Sequence, residues 1–315
     1  MNEPIDHHYL PVFYLSRWAG ADGRVCRFSR PNGAEVKPKR VVPKGTGFEP
    51  RLYETQGLPP DRAQAMETDF MAKQDDKAAK ALQLLESALP DAEWSFEARN
   101  DWSRFLLTQM LRSPEDIAQL KSSVGEAWRS EMDDLQKSYA TRRSESDPET
   151  FSDFLERQHP AHKDEFAFDV ARKLMSHSKL CDEFSKMHWL VLDSPAEAYP
   201  LLTSDRPIWM TPTISEEDAF LVMPISPRKL FTAVVNKPTQ SKLITHRRSN
   251  LVKAVNKLVV QHAVKFVYGQ SDEMLPFVQR HMATRRHSSL IERLAASRGH
   301  EIVAQNSPQT NNKTA

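Results

Sequence analysis

A chain of 315 residues is long enough to bury a sizeable core in one large domain or two ordinary ones. Its 43 basic and 42 acidic residues leave a formal net charge of +1, which argues against a simple polyanion binder. Cys26 and Cys181 lie far apart in no metal-like spacing, which fits a reducing compartment, so a cytoplasmic location is expected. No run of about eighteen apolar residues occurs, so no membrane partner is expected. Glycine is scarce, and neither GxGxxG nor GxxxxGK[ST] is found, which removes the glycine-built phosphate cradles.

His7-His8 opens the chain ahead of Tyr9-Leu10-Pro11-Val12-Phe13-Tyr14-Leu15, an apolar run that must dock on the core. Acidic residues before it and interruptions at Pro11, Ser16 and Arg17 speak against a signal peptide. Alternation around Val25-Cys26-Arg27-Phe28, followed by Pro31-Asn32-Gly33, predicts a β-hairpin over 24–42. The next segment, with Pro43, Pro50, Pro59 and Pro60 among Gly45, Gly47 and Gly57, reads as a surface loop.

Helical patterns then fill 61–89, 95–112, 114–141, 148–158 and 162–187, with Asp91, Ser113-Pro114 and Asp147-Pro148 placed as caps and first-turn prolines. The polar 138–150 stretch reads as an exposed connection. From His188 the runs WLVL, YPLLTS, PIWMT, AFLVMPIS and KLFTAVV predict an antiparallel meander over 188–236. Helices over 248–267 and 272–297 follow, and 304–315 is low-complexity and expected to be disordered. The expected class is α+β: one unit over 1–303 with a helical N-terminal half, a central antiparallel sheet and a small N-terminal hairpin.

Charge is uneven along the chain. From Arg228 to His300 there are fourteen Lys or Arg against Asp272, Glu273 and Glu292. Either this region forms a basic face for nucleic acid or another polyanion, or it packs on the acidic helical half.

Several polar residues fall on apolar faces. On the 62–88 wheel, Met66, Phe70, Ala78, Ala81, Leu85 and Ala88 share a face that also holds Glu67 and Gln74. A carboxylate there must be protonated or paired. Trp102, Phe105, Leu106 and Gln109 line one side of the next helix, with Arg112 at its end. In 248–267, Leu251, Val255, Leu258, His262 and Phe266 make one face, while Lys253 and Lys257 point outward. Thr203-Ser204-Asp205 ends a strand before Arg206-Pro207, either as a turn or as a platform for reactive groups. Ser204 lacks GxSxG surroundings, so no nucleophile elbow is supported.

His8-Tyr9-Leu10-Pro11 with Phe13-Tyr14-Leu15, Leu52-Tyr53, Glu67, Gln109 with Arg112-Ser113-Pro114, Thr203-Ser204-Asp205-Arg206-Pro207 and Pro224-Ile225-Ser226-Pro227 together resemble a bacterial family of unknown function, DUF4238, over about residues 7–270. The resemblance marks His8 as the characteristic histidine, which implies that His8 faces inward and His7 outward. The family pattern favours asparagine where this chain has Arg206. The family name brings no activity, substrate or cofactor.

Two function classes are expected. In the first, His8, Glu67 and Asp205 hold a divalent metal, Mg²⁺ or Mn²⁺, and act with Arg112 as the catalytic set. Gln109, Ser204, Lys253 and Lys257 then contact an anionic substrate. That would make a metal-assisted phosphodiester hydrolase, nuclease-like, with a defence or toxin role. In the second, the same buried groups are a structural network, and the 228–300 region of a non-catalytic module binds nucleic acid or a partner protein. A small-molecule pocket using Arg112 is a third arrangement.

Overall fold

The computed structural model describes residues 5–87, 94–211, 216–286 and 289–293. Asp91 and Ala88, with the roles expected of them, and the 304–315 tail lie outside the described residues. Within them the class is α+β. The predicted hairpin forms as β2 (Val25–Ser29) and β3 (Lys37–Val41), antiparallel with Val25 opposite Val41. Gly33, at φ 105°, supplies the left-handed turn residue. Two strands are too few to be stable alone, and β10 (Val267–Gly269) and β6 (Thr203–Ser204) extend the sheet in the order β3-β2-β10-β6.

A second antiparallel sheet holds β5 (His188–Asp193), β9 (Lys229–Val234), β8 (Phe220–Ser226) and β7 (Trp209–Met210), in that spatial order. The expected meander is therefore real for four of its five runs. The Thr203-Ser204 strand leaves it for the first sheet, because its backbone partner is Val267-Tyr268, far away in sequence. Tyr14, on the short α1 (Val12–Leu15), joins the two sheets: its hydroxyl donates to Pro224 O at 2.7 Å and accepts from Thr203 Oγ1 at 2.7 Å.

The proline-rich segment is not all loop. It contains β4 (Phe48–Pro50), which pairs antiparallel with β1 (Asp6–His8), His7 opposite Glu49. Gly47, at φ 70°, lets this segment press on the terminus: an added Cβ would lie 2.9 Å from Leu10 Cβ, and Gly47 O accepts from Tyr9 N and Leu10 N at 2.9 Å each.

Helix positions mostly follow the pattern, with informative exceptions. The single helix expected over 61–89 is a short α2 (Pro60–Ala63), a π-helical turn at Met66–Met71, and α3 (Ala72–Glu86). A π turn holds more residues than an α turn, so everything beyond it rotates relative to a uniform wheel. Met71 is fully buried as a result, and Phe70 is only half-buried. Helices α4 (Phe96–Gln109) and α5 (Pro114–Ala140) start on Ser95 and Ser113, whose hydroxyls accept from Ala98 N and Asp116 N. Helix α6 (Phe151–Gln158) is capped by Thr150 rather than Asp147, which instead accepts from Ser144 N. The expected 162–187 helix splits into α7 (His162–Met175) and α8 (Ser178–Lys186), where the His177 ring accepts from Leu180 N.

A helix that the pattern misses, α9 (Lys237–Thr245), precedes α10 (Arg248–Gln261). Helix α10 stops before Phe266 because Val267 enters β10; of the expected 272–297, α11 covers Leu275–His281 and 290–293 is again helical, while 287–288 and 294–297 lie outside the described residues. The main core lies between α4 and the second sheet, where Trp102 meets Phe105 at 4.8 Å and Phe231 at 5.7 Å, and Trp189 meets Phe231 edge-on at 5.2 Å. Among the described residues no helix is long and apolar enough to cross a membrane.

Candidate functional site

Arg112 is the centre of the buried polar groups. It follows the end of α4, is fully buried, and holds Asp75 with two bonds, Nη1 to Oδ1 at 2.6 Å and Nη2 to Oδ2 at 3.2 Å. Its Nη2 also donates to His8 O at 2.6 Å, and its own carbonyl accepts the Tyr53 hydroxyl at 2.6 Å. Planar guanidinium geometry suits this simultaneous binding of a carboxylate and a carbonyl. Burial pushes the Asp75 carboxyl above its ordinary range, and Arg112 opposes the shift.

Asp75 is not among the residues that the sequence pattern singles out. On a uniform wheel the inward place belongs to Gln74; the π turn moves it on by about one residue and brings Asp75 to Arg112. Glu67 lies inside that turn, next to the pair. Burial pushes its carboxyl up to about 7, the Arg112 charge opposing and the Asp75 charge adding. Its buried Oε2 has no hydrogen-bond partner among the described residues. A carboxyl raised in the folded state is protonated in both states below the unfolded value and charged in both above the folded one. Its destabilisation therefore grows as pH rises from about 4.5 to about 7. Glu67→Gln is expected to leave stability unchanged near pH 4 and to raise it by about 1–3 kcal/mol at pH 8, after allowance for partial exposure. Urea midpoints of both proteins across pH test this, and a difference that does not change with pH contradicts it.

The two histidines are reversed relative to expectation. His7 is fully buried; its Nδ1 accepts from Tyr53 N at 2.9 Å and its ring stacks on Tyr53 at 5.6 Å. His8 is half-buried against Phe48, and its Nε2 bonds Lys44 O at 3.2 Å. Pairing of β1 with β4 sets which residue faces in. Burial, with help from Arg112, holds the His8 imidazole below its ordinary value, so it is neutral at pH 7 and Nε2 donates to the carbonyl.

Asp205 stands apart from His8 and Glu67. Its Oδ1 accepts from Val264 N at 2.9 Å, and its Oδ2 accepts from Lys265 N and from Phe266 N at 3.0 Å, closing the turn between α10 and β10. Ser204 Oγ accepts from Arg206 N at 3.1 Å, an ordinary hydroxyl turn. Among the described residues no three His, Cys, Asp or Glu side chains come together as a metal site. The structure thus brings His8, Glu67 and Arg112 together, adds Asp75 and Tyr53, and separates Asp205.

Arg206 makes a second buried node. Its Nη1 pairs with Asp116, which also accepts from Ser113 Oγ at 2.5 Å, and its Nη2 pairs with Glu115 at 3.1 Å. The first turn of α5 carries both acids, where the helix dipole favours them. Asn256, absent from the sequence-based candidates, fastens α10 to the segment leading into β6, Nδ2 to Pro200 O at 2.9 Å and Oδ1 from Leu202 N at 2.8 Å.

Gln109 donates to Tyr9 O at 3.0 Å and leaves its buried Oε1 without a partner among the described residues. It borders a cavity of about 390 Å³ shared with Arg206, Trp209, His262, Arg286 and Arg293. The wheel puts His262 on the apolar face of its helix. It is instead the half-buried C-cap of α10, with Nδ1 2.9 Å from Leu258 O, and the buried stripe runs through Val252, Val255 and Val259.

The basic region faces outward. Lys229 pairs with Asp193, and Lys265 pairs with Glu49 and Glu115. Lys237, Lys242, Arg247, Lys253, Lys257, Arg280 and Arg285 are exposed and make no ion pair among the described residues. Lys253 and Arg280 border a cavity of about 510 Å³ with Tyr199, Phe277, Glu197 and Glu273. Lys257 and Arg280 lie close enough to His281 to help hold its imidazole below the ordinary value, after burial.

No curated protein and no solved structure matches this chain. A family model described as protein of unknown function (DUF4238) matches residues 6–273, and the chain belongs to that family.

Proposed function

We propose that this protein binds single-stranded nucleic acid along the α10–α11 face and that the buried Arg112 and Arg206 networks hold the fold. One observation carries the proposal: Lys253, Lys257 and Arg280 converge there without ion-pair partners among the described residues, beside Tyr199, which is 62% exposed, and Phe277. Cations track a phosphate backbone, and aromatic faces stack on unpaired bases. The other half of the expected site supports a structural role for its groups, since Asp205 and Ser204 are taken up by backbone N–H groups.

The test is fluorescence anisotropy with labelled single-stranded DNA and RNA of about 20 nucleotides. The variant Lys253→Glu/Lys257→Glu/Arg280→Glu is expected to bind about tenfold or more weakly at an unchanged melting temperature. Equal binding by variant and wild type contradicts the proposal. Incubation of the same probes with Mg²⁺ or Mn²⁺ tests the metal-assisted hydrolase: cleavage by wild type that Glu67→Gln abolishes would put hydrolysis in place of simple binding.

A further inference from the structure

The cavity of about 390 Å³ between the end of α4, the Arg206–Met210 segment and the C-cap of α10 differs from the basic face in both place and chemistry. Its charged lining consists of Arg206, Arg286 and Arg293, with His262 beside them, and no carboxylate among the described residues. The acids that serve these arginines stand behind them: Glu115, Asp116 and Glu292 line an adjacent cavity of about 310 Å³. Arg206 and Arg286 belong to both cavities, tied to Asp116 and Glu115, and to Glu292 at 2.8 Å, respectively.

Arg293 borders only the first cavity of the two and makes no ion pair among the described residues. It is half-buried, and burial pulls its guanidinium below the ordinary value, Asp116 opposing. A guanidinium partly shielded from water with no carboxylate in ion-pair contact is costly, and a bound anion lowers that cost. Arg206 Nε and Arg293 Nε, both buried, also lack hydrogen-bond partners among the described residues.

Two further features narrow the ligand. Trp209 forms part of the wall, half-buried and backed by Phe220 at 5.1 Å, with Pro207, Ile208 and Leu290 as apolar neighbours. An indole held in this way offers a face to a planar ring. The volume falls in the range of small-molecule sites.

We infer that this cavity is a mononucleotide site, with the phosphate on Arg293 and Arg286 and the base against Trp209. Phosphate on arginine is a charge-assisted and often bidentate contact.

Isothermal titration of the full-length protein with AMP, GMP, CMP and UMP separately, and with adenosine and inorganic phosphate as partial ligands, tests the inference. At least one nucleotide is expected to bind with a Kd below about 1 mM, and adenosine and phosphate about tenfold or more weaker. Arg293→Met is expected to weaken nucleotide binding by about tenfold or more. Arg286→Met, at an exposed position, serves as the second variant if Arg293→Met does not fold. The inference is overturned if no nucleotide binds at about 5 mM, if phosphate alone binds as tightly as the nucleotide, or if the foldable arginine variant binds like wild type.

Discussion

Arg112→Ala is expected to lower the unfolding free energy by about 3–5 kcal/mol, the usual result of removing one partner of a buried ion pair. The substitution strands the Asp75 carboxylate and the His8 carbonyl, both of which Arg112 holds at 2.6 Å. It also opens a void beside Tyr53, whose ring is fully buried. Asp75→Asn removes the charge from the other side and is expected to be milder, since the neutral amide still accepts from Arg112. Arg112→Met with Asp75→Leu is expected to recover part of the loss, because apolar groups of similar volume do not leave a lone charge inside. Urea denaturation of the three variants measures the order. An Arg112→Ala protein as stable as wild type would mean that the node does not hold α3 and the terminus to α4.

Asp205→Ala is expected to be comparably severe, about 3–4 kcal/mol, for a different reason. One carboxylate accepts from three consecutive backbone N–H groups, Val264, Lys265 and Phe266, and alanine leaves all three without that acceptor. Asp205→Asn keeps one oxygen and is expected to fall between alanine and wild type. Amide hydrogen exchange gives a local signature: the amides of 264–266 should lose protection first, before the core around Trp102. Unchanged protection there in Asp205→Ala would show that the turn closes without the carboxylate. Loss of stability in both Asp205 and Arg112 variants matches the structural role proposed for the buried network.

Local chemistry is legible in the sequence where a few adjacent residues decide the outcome. Pro31-Asn32-Gly33 set a turn, Ser113-Pro114 set a helix start, and Trp102, Phe105, Leu106 and Gln109 set one buried side of α4. The family resemblance rests on short motifs of the same local kind, and membership holds over residues 6–273. The candidate site is half legible. Arg112 and Glu67 stand out as polar residues on apolar faces, and both lie in one cluster. Asp75 is hidden by a π turn, which no constant angle per residue can follow. The phase of His7 and His8 depends on β4, which a proline-rich segment disguises as loop. The partners of Asp205 and Arg206 lie about 60 and 90 residues away, Val264 on one side and Asp116 on the other, so no local pattern can assign them. Charge balance over the whole chain conceals the basic surplus, which a count over 228–300 exposes, but that Lys253 and Lys257 of α10 lie near Arg280 of α11 follows only from the fold.

Salt dependence of nucleic-acid affinity separates an electrostatic face from an incidental surplus of lysine. For wild type, log Kd should rise linearly with log salt, and the triple reversal of Lys253, Lys257 and Arg280 should lower that slope by about 2, near 0.7 for each single-strand phosphate that is no longer neutralised. A slope identical in wild type and variant, or no binding by wild type at low salt, would contradict the nucleic-acid role.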